Sequence, residues 1–410
     1  MRGNLLIFTV GDVMRQLGMF ITFPFFSLYV QALGGGVVDI GIVNSLRPLV
    51  ALFIYPVAGY LSDRISRVKL IAITGFASSL IYVFFIFAED WRWLAFGNLL
   101  LGVMTFYFPA ANSLMAESLP REKRALGYSL WQAIPLAAGI FSPLAGGYLI
   151  SIWGVNPAMR FLYGVTMVIA ILIAVMNYKY LSEEPRISRE NDHKLLDVII
   201  SSYREVLEVV KELPRNLKAY GVMLGLGFFF NSMVSSYWVV YVVEVIGLPE
   251  VQWGFILLIA SVINVLLLIP AGIVVDKFNP KRVITIALVA GAIPTLVFPY
   301  TSSFLGVTIL MVLLTVANSF LMSGAPSYMA KATPNEKRGR IMSALGQGML
   351  LINTRGGGGG GPGMGALLAI PTIVGSLLGG VFYSFNPVWL WGSFGLSLLI
   401  NAVICSVYLE

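Results

Sequence analysis

The sequence predicts an all-α membrane protein with twelve transmembrane helices in two pseudo-symmetric six-helix bundles. Three observations support this fold: the composition, the number of long apolar runs and an internal repeat. Of the 410 residues, 58% are hydrophobic and only 11% are charged, whereas a typical soluble domain is about 25% charged. So few charges cannot cover a water-facing surface, which excludes disordered chains and nucleic-acid-binding tails and leaves a protein that crosses the lipid bilayer many times.

Twelve apolar runs are long enough to cross a bilayer, which takes about 20 residues each. The predicted spans cover residues 5–30, 39–61, 69–88, 93–115, 127–151, 160–181, 218–244, 251–275, 281–300, 304–330, 341–385 and 388–409. The eleventh run carries 19 more residues than its counterpart in the first half, including six consecutive glycines at 356–361. Because each glycine costs a helix about 1 kcal/mol relative to alanine, we expect the true helix at 366–385, preceded by an extra apolar piece at 341–352.

The distribution of Lys and Arg predicts the orientation in the membrane. Of the 27, 22 lie at the N-terminus and in alternate loops, whereas the opposite loops hold only Arg92 and Arg160. Cytoplasmic loops are enriched in these residues. We therefore expect a multi-pass protein of the cell membrane with both termini in the cytoplasm, and we attribute the net charge of +7 to this bias and not to a nucleic-acid partner.

The residue types exclude most catalytic and cofactor chemistry. The chain has one cysteine, Cys405, and one histidine, His193, which cannot form a disulfide framework, a zinc site, a haem site or an iron–sulfur cluster. No Walker lysine motif is present, which argues against ATP-driven pumping. We expect no metal, no cofactor and no enzymatic activity, because an intramembrane enzyme would need paired carboxylates, a metal cluster or a nucleophile with its base.

Two sequence matches relate the halves of the chain. Residues 59–69, after span two, resemble residues 272–282, after span eight. Residues 115–124, after span four, resemble residues 329–338, after span ten. The matches predict a duplicated six-helix unit with a binding site near the bilayer midplane, between the halves.

The one long polar segment separates the two units. We predict an N-terminal bundle at 1–181, a cytoplasmic linker with an amphipathic helix at 182–217 and a C-terminal bundle at 218–410.

The loop after span two resembles the signature of the major facilitator superfamily, and together with twelve spans the resemblance covers the whole chain. The resemblance implies a membrane transporter that works by alternating access, with these loop residues acting as a conformational latch. The latch residues are Gly59, Asp63, Arg64 and Arg67, with Asp276 and Lys277 in the second half.

Span five carries a second motif that resembles the family. Ser142, Pro143, Gly146 and Gly147 are similar to its antiporter motif, although Ser142 stands where the family has a glycine. Small residues allow helices to approach closely, and proline allows a kink. The motif favours antiport, with ordinary tight packing as the alternative.

Three charged residues fall inside spans and are candidate functional groups because charges in a bilayer are costly. Asp12 and Arg15 share one face of span one, and Arg47 lies in span two. A rise of about 1.5 Å per residue places Arg15 and Arg47 at nearly equal depth. We expect Asp12 to exchange a proton, with Arg15 or Arg47 tuning its proton affinity. The alternatives are a static ion pair that braces spans one and two, and direct contact with substrate.

The family resemblance implies that spans one, four, seven and ten line a substrate cavity. The polar and aromatic candidates for its lining are Gln16, Phe106, Tyr107, Asn112, Asn231, Tyr237, Trp238 and Asn318. Aromatic rings with a few amides suit a bulky amphipathic or cationic compound.

The expected function is therefore proton-coupled efflux of amphipathic or drug-like small molecules by a monomer. The alternatives are a transporter of an anionic metabolite bound by Arg15 and Arg47, and a non-transporting membrane sensor of the same fold.

Overall fold

The computed structural model is nearly all helical. It describes residues 3–119, 124–183, 204, 208–209, 211–334, 338–356 and 364–409, and these residues include no β-strand. Twelve helices are long and apolar enough to cross a membrane, which confirms the predicted number. In chain order, spans 1 to 12 are Asn4–Ala32, Val37–Ile54, Arg67–Ile86, Trp91–Ser118, Ala133–Trp153, Val155–Tyr180, Arg215–Val245, Glu250–Lys277, Pro280–Tyr300, Phe304–Ala332, Ala366–Phe385 and Pro387–Tyr408.

The ends of several spans follow from local sequence. Side chains cap the first backbone N–H groups at the starts of spans 3, 4, 9, 10 and 12, and the capping residues are Ser66, Asp90, Asn279, Ser303 and Asn386. Such caps satisfy donors that a helix start leaves free. The helix of span 2 continues beyond the apolar stretch to Arg64.

Two helices, Arg338–Leu345 and Ala366–Phe385, flank a 20-residue segment at 346–365, of which the structure describes residues 346–356 and 364–365. We call this segment the excursion of span 11. The two ends of the excursion meet: a Cβ atom on Gly365 would come within 3.0 Å of atoms of Ala344 and Gly346. The predicted helix at 366–385 is confirmed. The extra piece predicted at 341–352 is not one unit, because residues 341–345 end a helix and 346–352 belong to the excursion.

The internal repeat is visible in how small residues pack. Gly146 of span 5 lies against the carbonyl oxygen of Ile21 in span 1, and Gly379 of span 11 lies in the same way against Met233 in span 7. At all of these glycines a Cβ would come closer than 3.0 Å to the facing backbone. Only glycine allows this approach. The first and fifth spans of each half therefore pack against each other through the same type of contact.

The two halves of the chain, spans 1–6 and spans 7–12, meet through a second set of glycines. Gly147 contacts the carbonyl oxygen of Glu250 at the start of span 8, and Gly380 contacts that of Val37 at the start of span 2. Gly41 and Gly254, each the fifth residue of its helix, make the reciprocal contacts with Ser376 and Pro143.

The glycine contacts between the halves lie on the side of the protein away from the N-terminus. Asn4 bonds to Ser118 and to the carbonyl oxygen of Ser182, which places the N-terminus beside the ends of spans 4 and 6. We call the side that carries the N-terminus the terminal face. Val37 and Glu250 begin the even-numbered spans 2 and 8, so the glycine contacts lie toward the opposite face and close the halves there.

Candidate functional site

Asp12 of span 1 contacts the helix that enters span 5. Its Oδ1 forms an ion pair with Arg15 one turn further along span 1, and its Oδ2 accepts a hydrogen bond of 2.5 Å from Nε1 of Trp131. Trp131 belongs to the helix Arg124–Ala138, which enters span 5. The side chains of Asp12 and Arg15 remain 17% and 31% exposed.

Arg15 connects the pair to span 4. Its Nη2 donates to the hydroxyl of Tyr107 at 3.1 Å, and its guanidinium lies 4.7 Å from the centre of the Tyr107 ring. The arrangement combines a hydrogen bond with a cation–π contact. Tyr107, predicted as a cavity residue, therefore lies beside the charged pair.

Arg47 lies outside the pair. Among the described residues, no carboxylate lies within 4 Å of Arg47. The ion pair is thus formed within span 1, and it links span 1 to spans 4 and 5 rather than to span 2.

The remaining cavity candidates of the first half differ in placement. Gln16 lies, with Phe20, beside Gly139 of span 5, at the same helix face as Asp12. Phe106 is half-buried in the 3₁₀ turn Met104–Phe106, and Asn112 is exposed.

Tyr237 and Trp238 are not where the sequence placed them. Span 7 is interrupted by a turn at residues 236–237, and this turn directs both rings into the sealed part of the protein. The Tyr237 hydroxyl donates to the carbonyl oxygen of Val37 at 2.9 Å, across the contact between the halves. Trp238 packs in an aromatic cluster with Phe298 and Trp391. Both rings are buried and help to close the face opposite the termini.

Asn231 and Asn318 bind the excursion of span 11. Oδ1 of Asn318 accepts the backbone N–H of Ile352, and Oδ1 of Asn231 accepts that of Asn353, both at 2.8 Å. The Tyr220 hydroxyl also donates to the carbonyl oxygen of Gly348. The side-chain oxygens of the two amides predicted to face substrate thus accept hydrogen bonds from the protein's own backbone.

The excursion brings Arg355 to the same region. Its guanidinium lies 4.9 Å from the ring centre of Phe20 in span 1, and its Nη2 donates to Oγ of Ser261 in span 8 at 3.1 Å. Sequence reasoning missed Arg355 because its depth cannot be inferred from a stretch of unknown backbone path. The glycine tract beside it was the only available signal.

Of the described residues predicted to act as a latch, Arg67 makes the most contacts. Arg67 is buried and its Nη1 donates to Oε2 of Glu117 at 2.6 Å. Oε2 of Glu183 accepts the backbone N–H of Arg67 and the hydroxyl of Ser66, both at 2.9 Å. Glu183, which the sequence did not suggest, therefore ties the end of span 6 to the start of span 3.

The other latch residues make fewer contacts. Asp276 and Lys277 are exposed at the end of span 8, and no ion pair is formed by either with another described residue. Gly59, Asp63 and Arg64 belong to the helix of span 2, and their side chains lie outside the described part of the protein.

The motif of span 5 lies at the junction between the halves. Ser142 and Pro143 are buried, and the Pro143 carbonyl oxygen faces Gly254 of span 8. Gly146 and Gly147 contact spans 1 and 8 as described above. Close packing of the motif is therefore observed; its link to antiport remains a prediction.

Comparison with known proteins gives consistent results. A family model described as Major Facilitator Superfamily matches residues 9–352. The chain is 25% identical to the multidrug resistance protein MdtG of Escherichia coli over 404 residues, which are 95% of this chain and 94% of the relative. It is also 25% identical over 405 residues to MdtG of Salmonella schwarzengrund, covering 95% of both chains.

Solved structures share the fold. A bacterial homolog to the human lysosomal transporter Spinster, inward-facing and occupied, has a TM-score of 0.68 at 14% identity, covering 98% of this chain and 94% of that one. The nucleoside transporter NupG has a TM-score of 0.64 at 13% identity, covering 99% and 97%. At this identity the likeness concerns the fold alone.

Proposed function

Because the chain belongs to the Major Facilitator Superfamily and is a multi-pass membrane transporter without enzymatic activity, we propose that it exports amphipathic, drug-like compounds from the cytoplasm in exchange for protons. The relatives named above as multidrug resistance proteins, which align over nearly the whole chain, support export of drug-like compounds. In this proposal the terminal face is cytoplasmic.

The contacts of Asp12 are the observation that carries proton coupling. Asp12 is the ninth of the 29 residues of span 1, about 12 Å along the helix axis from the first. It is a carboxylate held by a cation and an indole N–H from another helix. Protonation would remove its charge, and with it the ion pair to Arg15 and about half of the strength of the bond from Trp131.

Loss of these contacts would change how span 1 packs. Arg15 would no longer be held by Asp12 and could interact more strongly with Tyr107 in span 4, while Trp131 in span 5 would lose its charged acceptor. In the protonated state span 1 would thus be held less firmly to span 5 and more firmly to span 4. A carboxylate whose protonation alters interhelical contacts can couple proton movement to a conformational change.

The conformational change proposed is a movement of the bundle 1–181 against the bundle 218–410, joined by the linker 182–217. The glycine contacts at Gly147 and Gly380 would open in the outward-facing state. The latch at Arg67, together with Asp63, would open and close in the opposite sense at the terminal face.

The test uses proteoliposomes containing the purified protein with an inside-acid pH gradient. Proton release is followed while tetraphenylphosphonium, a lipophilic cation, or naphthalene-2-sulfonate, an amphipathic anion, is added. We expect compound-dependent proton flux in the wild-type protein and none in Asp12→Asn. The matched control is Glu89→Gln, which removes an exposed carboxylate outside the spans and should leave the flux unchanged.

Full compound-dependent proton flux in Asp12→Asn would overturn the assignment of the proton to this residue. Compound transport that is independent of the pH gradient in the wild-type protein would overturn proton coupling and leave the transporter assignment intact.

A further inference from the structure

The excursion of span 11 places a third arginine near the middle of the membrane. Phe20, whose ring contacts Arg355, is the seventeenth of the 29 residues of span 1. Ser261, which accepts its hydrogen bond, is the twelfth of the 28 residues of span 8. Because both contacts lie near the midpoints of spans in different halves, the Arg355 guanidinium lies close to the bilayer midplane and between the halves.

The local backbone holds Arg355 in place. Oδ1 of Asn353 accepts the backbone N–H of Arg355 at 3.1 Å, and Nδ2 of Asn353 donates to the carbonyl oxygen of Gly356 at 3.0 Å. Gly356 has a φ of 91°, a conformation that favours glycine. Since Asn231 also binds the backbone N–H of Asn353, the turn that carries Arg355 is fixed to span 7.

The charge of Arg355 has no partner of opposite sign among the described residues. Its guanidinium has five N–H donors, and with the described residues it makes one side-chain hydrogen bond, to a neutral hydroxyl group. The face of Phe20 supplies the other contact. A charge inside the membrane normally pairs with an opposite charge, because desolvating it alone is costly. Within the described ranges, the site therefore lacks a negative group.

The other charged residues near the middle of the spans also leave an excess of positive charge. The described charged residues near the midpoints of spans, together with Arg355, are Asp12, Arg15 and Arg47. Asp12 neutralises Arg15, and no carboxylate lies within 4 Å of Arg47 or Arg355 in the part of the protein that the structure describes. Two positive charges remain uncompensated, so this region attracts anions and repels cations.

We propose that Arg355 is an anion-binding group of the transport site and that the transported compounds are amphipathic anions, with a carboxylate or sulfonate on an apolar ring system. The anionic group binds the guanidinium through two parallel hydrogen bonds, which is the geometry that arginine provides for such groups. The apolar part packs beside Phe20. This inference names the substrate class of the proposed transporter and rests on that function, but it does not require proton coupling.

The test compares two ligands with the same ring and opposite charge. Naphthalene-2-sulfonate and 2-naphthylmethylammonium are titrated into purified protein in lipid nanodiscs, and binding is measured by equilibrium dialysis. We expect the wild-type protein to prefer the sulfonate. Arg355→Gln should weaken sulfonate binding about tenfold or more, since a charge-assisted hydrogen bond is lost, without weakening that of the ammonium compound. Arg92→Gln, which removes an exposed arginine at the start of span 4, is the matched control.

A sulfonate affinity that is unchanged in Arg355→Gln, or an equal loss for both ligands, overturns the inference. If Arg355→Gln does not fold, Arg355→Lys provides the same test: it keeps the charge but loses the planar pair of donors, so sulfonate binding must fall several-fold while ammonium binding stays constant. Sulfonate binding through Arg355 without compound-dependent proton flux would support the anion site and contradict only the coupling proposed for Asp12.

Discussion

The indole Nε1 of Trp131 lies 2.5 Å from Oδ2 of Asp12, and this bond joins span 1 to the helix that enters span 5. The same carboxylate pairs with Arg15, which in turn contacts Tyr107 in span 4. A change in the charge of one side chain therefore acts on the packing of three helices.

Trp131→Phe tests this relationship. The substitution keeps an aromatic ring but removes the donor, and a hydrogen bond to a charged group is worth about 1.5–3 kcal/mol. We expect compound-dependent proton flux in proteoliposomes to fall about tenfold. The control Trp93→Phe changes an exposed tryptophan of span 4 and should have no effect. Equal flux in the two variants would show that the Trp131 bond plays no part in coupling.

Gly147→Ala should shift the protein toward a state open at the face opposite the termini. The new methyl group would come within 3.0 Å of the Glu250 carbonyl oxygen, so spans 5 and 8 must separate, at a cost of about 1–3 kcal/mol. Spin labels can be introduced at Ile152 and Phe255, which are both exposed. Double electron–electron resonance should give a longer distance between the two labels in Gly147→Ala than in the protein with Gly147.

The matched control for Gly147→Ala is Gly164→Ala in span 6, where nothing lies within 4 Å of the added methyl group. The label distance should be the same as in the wild-type protein. A Gly147→Ala variant with an unchanged distance would mean that the glycine contact does not limit the approach of these spans.

Excision of residues 346–365 should leave a folded protein. The segments Arg338–Leu345 and Ala366–Phe385 contain 8 and 20 residues, and together they match the 28 residues of span 8. Because the ends of the excursion meet at Gly365 and Ala344, joining Leu345 to Ala366 needs little rearrangement. We expect cooperative thermal unfolding and loss of naphthalene-2-sulfonate binding. A variant that fails to insert, or one that binds the sulfonate as before, would contradict this prediction.

Glu183→Gln should destabilise the terminal face of the first half. Oε2 of Glu183 accepts from the start of span 3, and a carboxylate at a helix N-terminus contributes about 1 kcal/mol. We expect a lower melting temperature in detergent for Glu183→Gln than for the control Glu89→Gln. Identical melting temperatures would indicate that water replaces the contact without loss.

The sequence could predict the features that depend on local spacing. The number of spans, the helix at 366–385 and the shared face of Asp12 and Arg15 follow from hydropathy and from the period of the helix. The partners of Asp12 on other helices could not be predicted, because they depend on how each helix is rotated about its axis.

Two parts of the site depend on backbone that departs from regular helix. The turn at residues 236–237 moves Tyr237 and Trp238 away from the region that a straight span 7 would place them in. The excursion brings Arg355 between Phe20 and Ser261. A periodic pattern carries no information about such breaks, so the position of these side chains required the structure.

The meeting of Ala344 with Gly365 has a consequence for protein engineering. An insertion that leaves and rejoins a helix at one point can be exchanged like a surface loop, although it lies at the depth of the bilayer. Other inserts could then be grafted between Leu345 and Ala366 to change the ligand preference, without redesign of the twelve-helix scaffold.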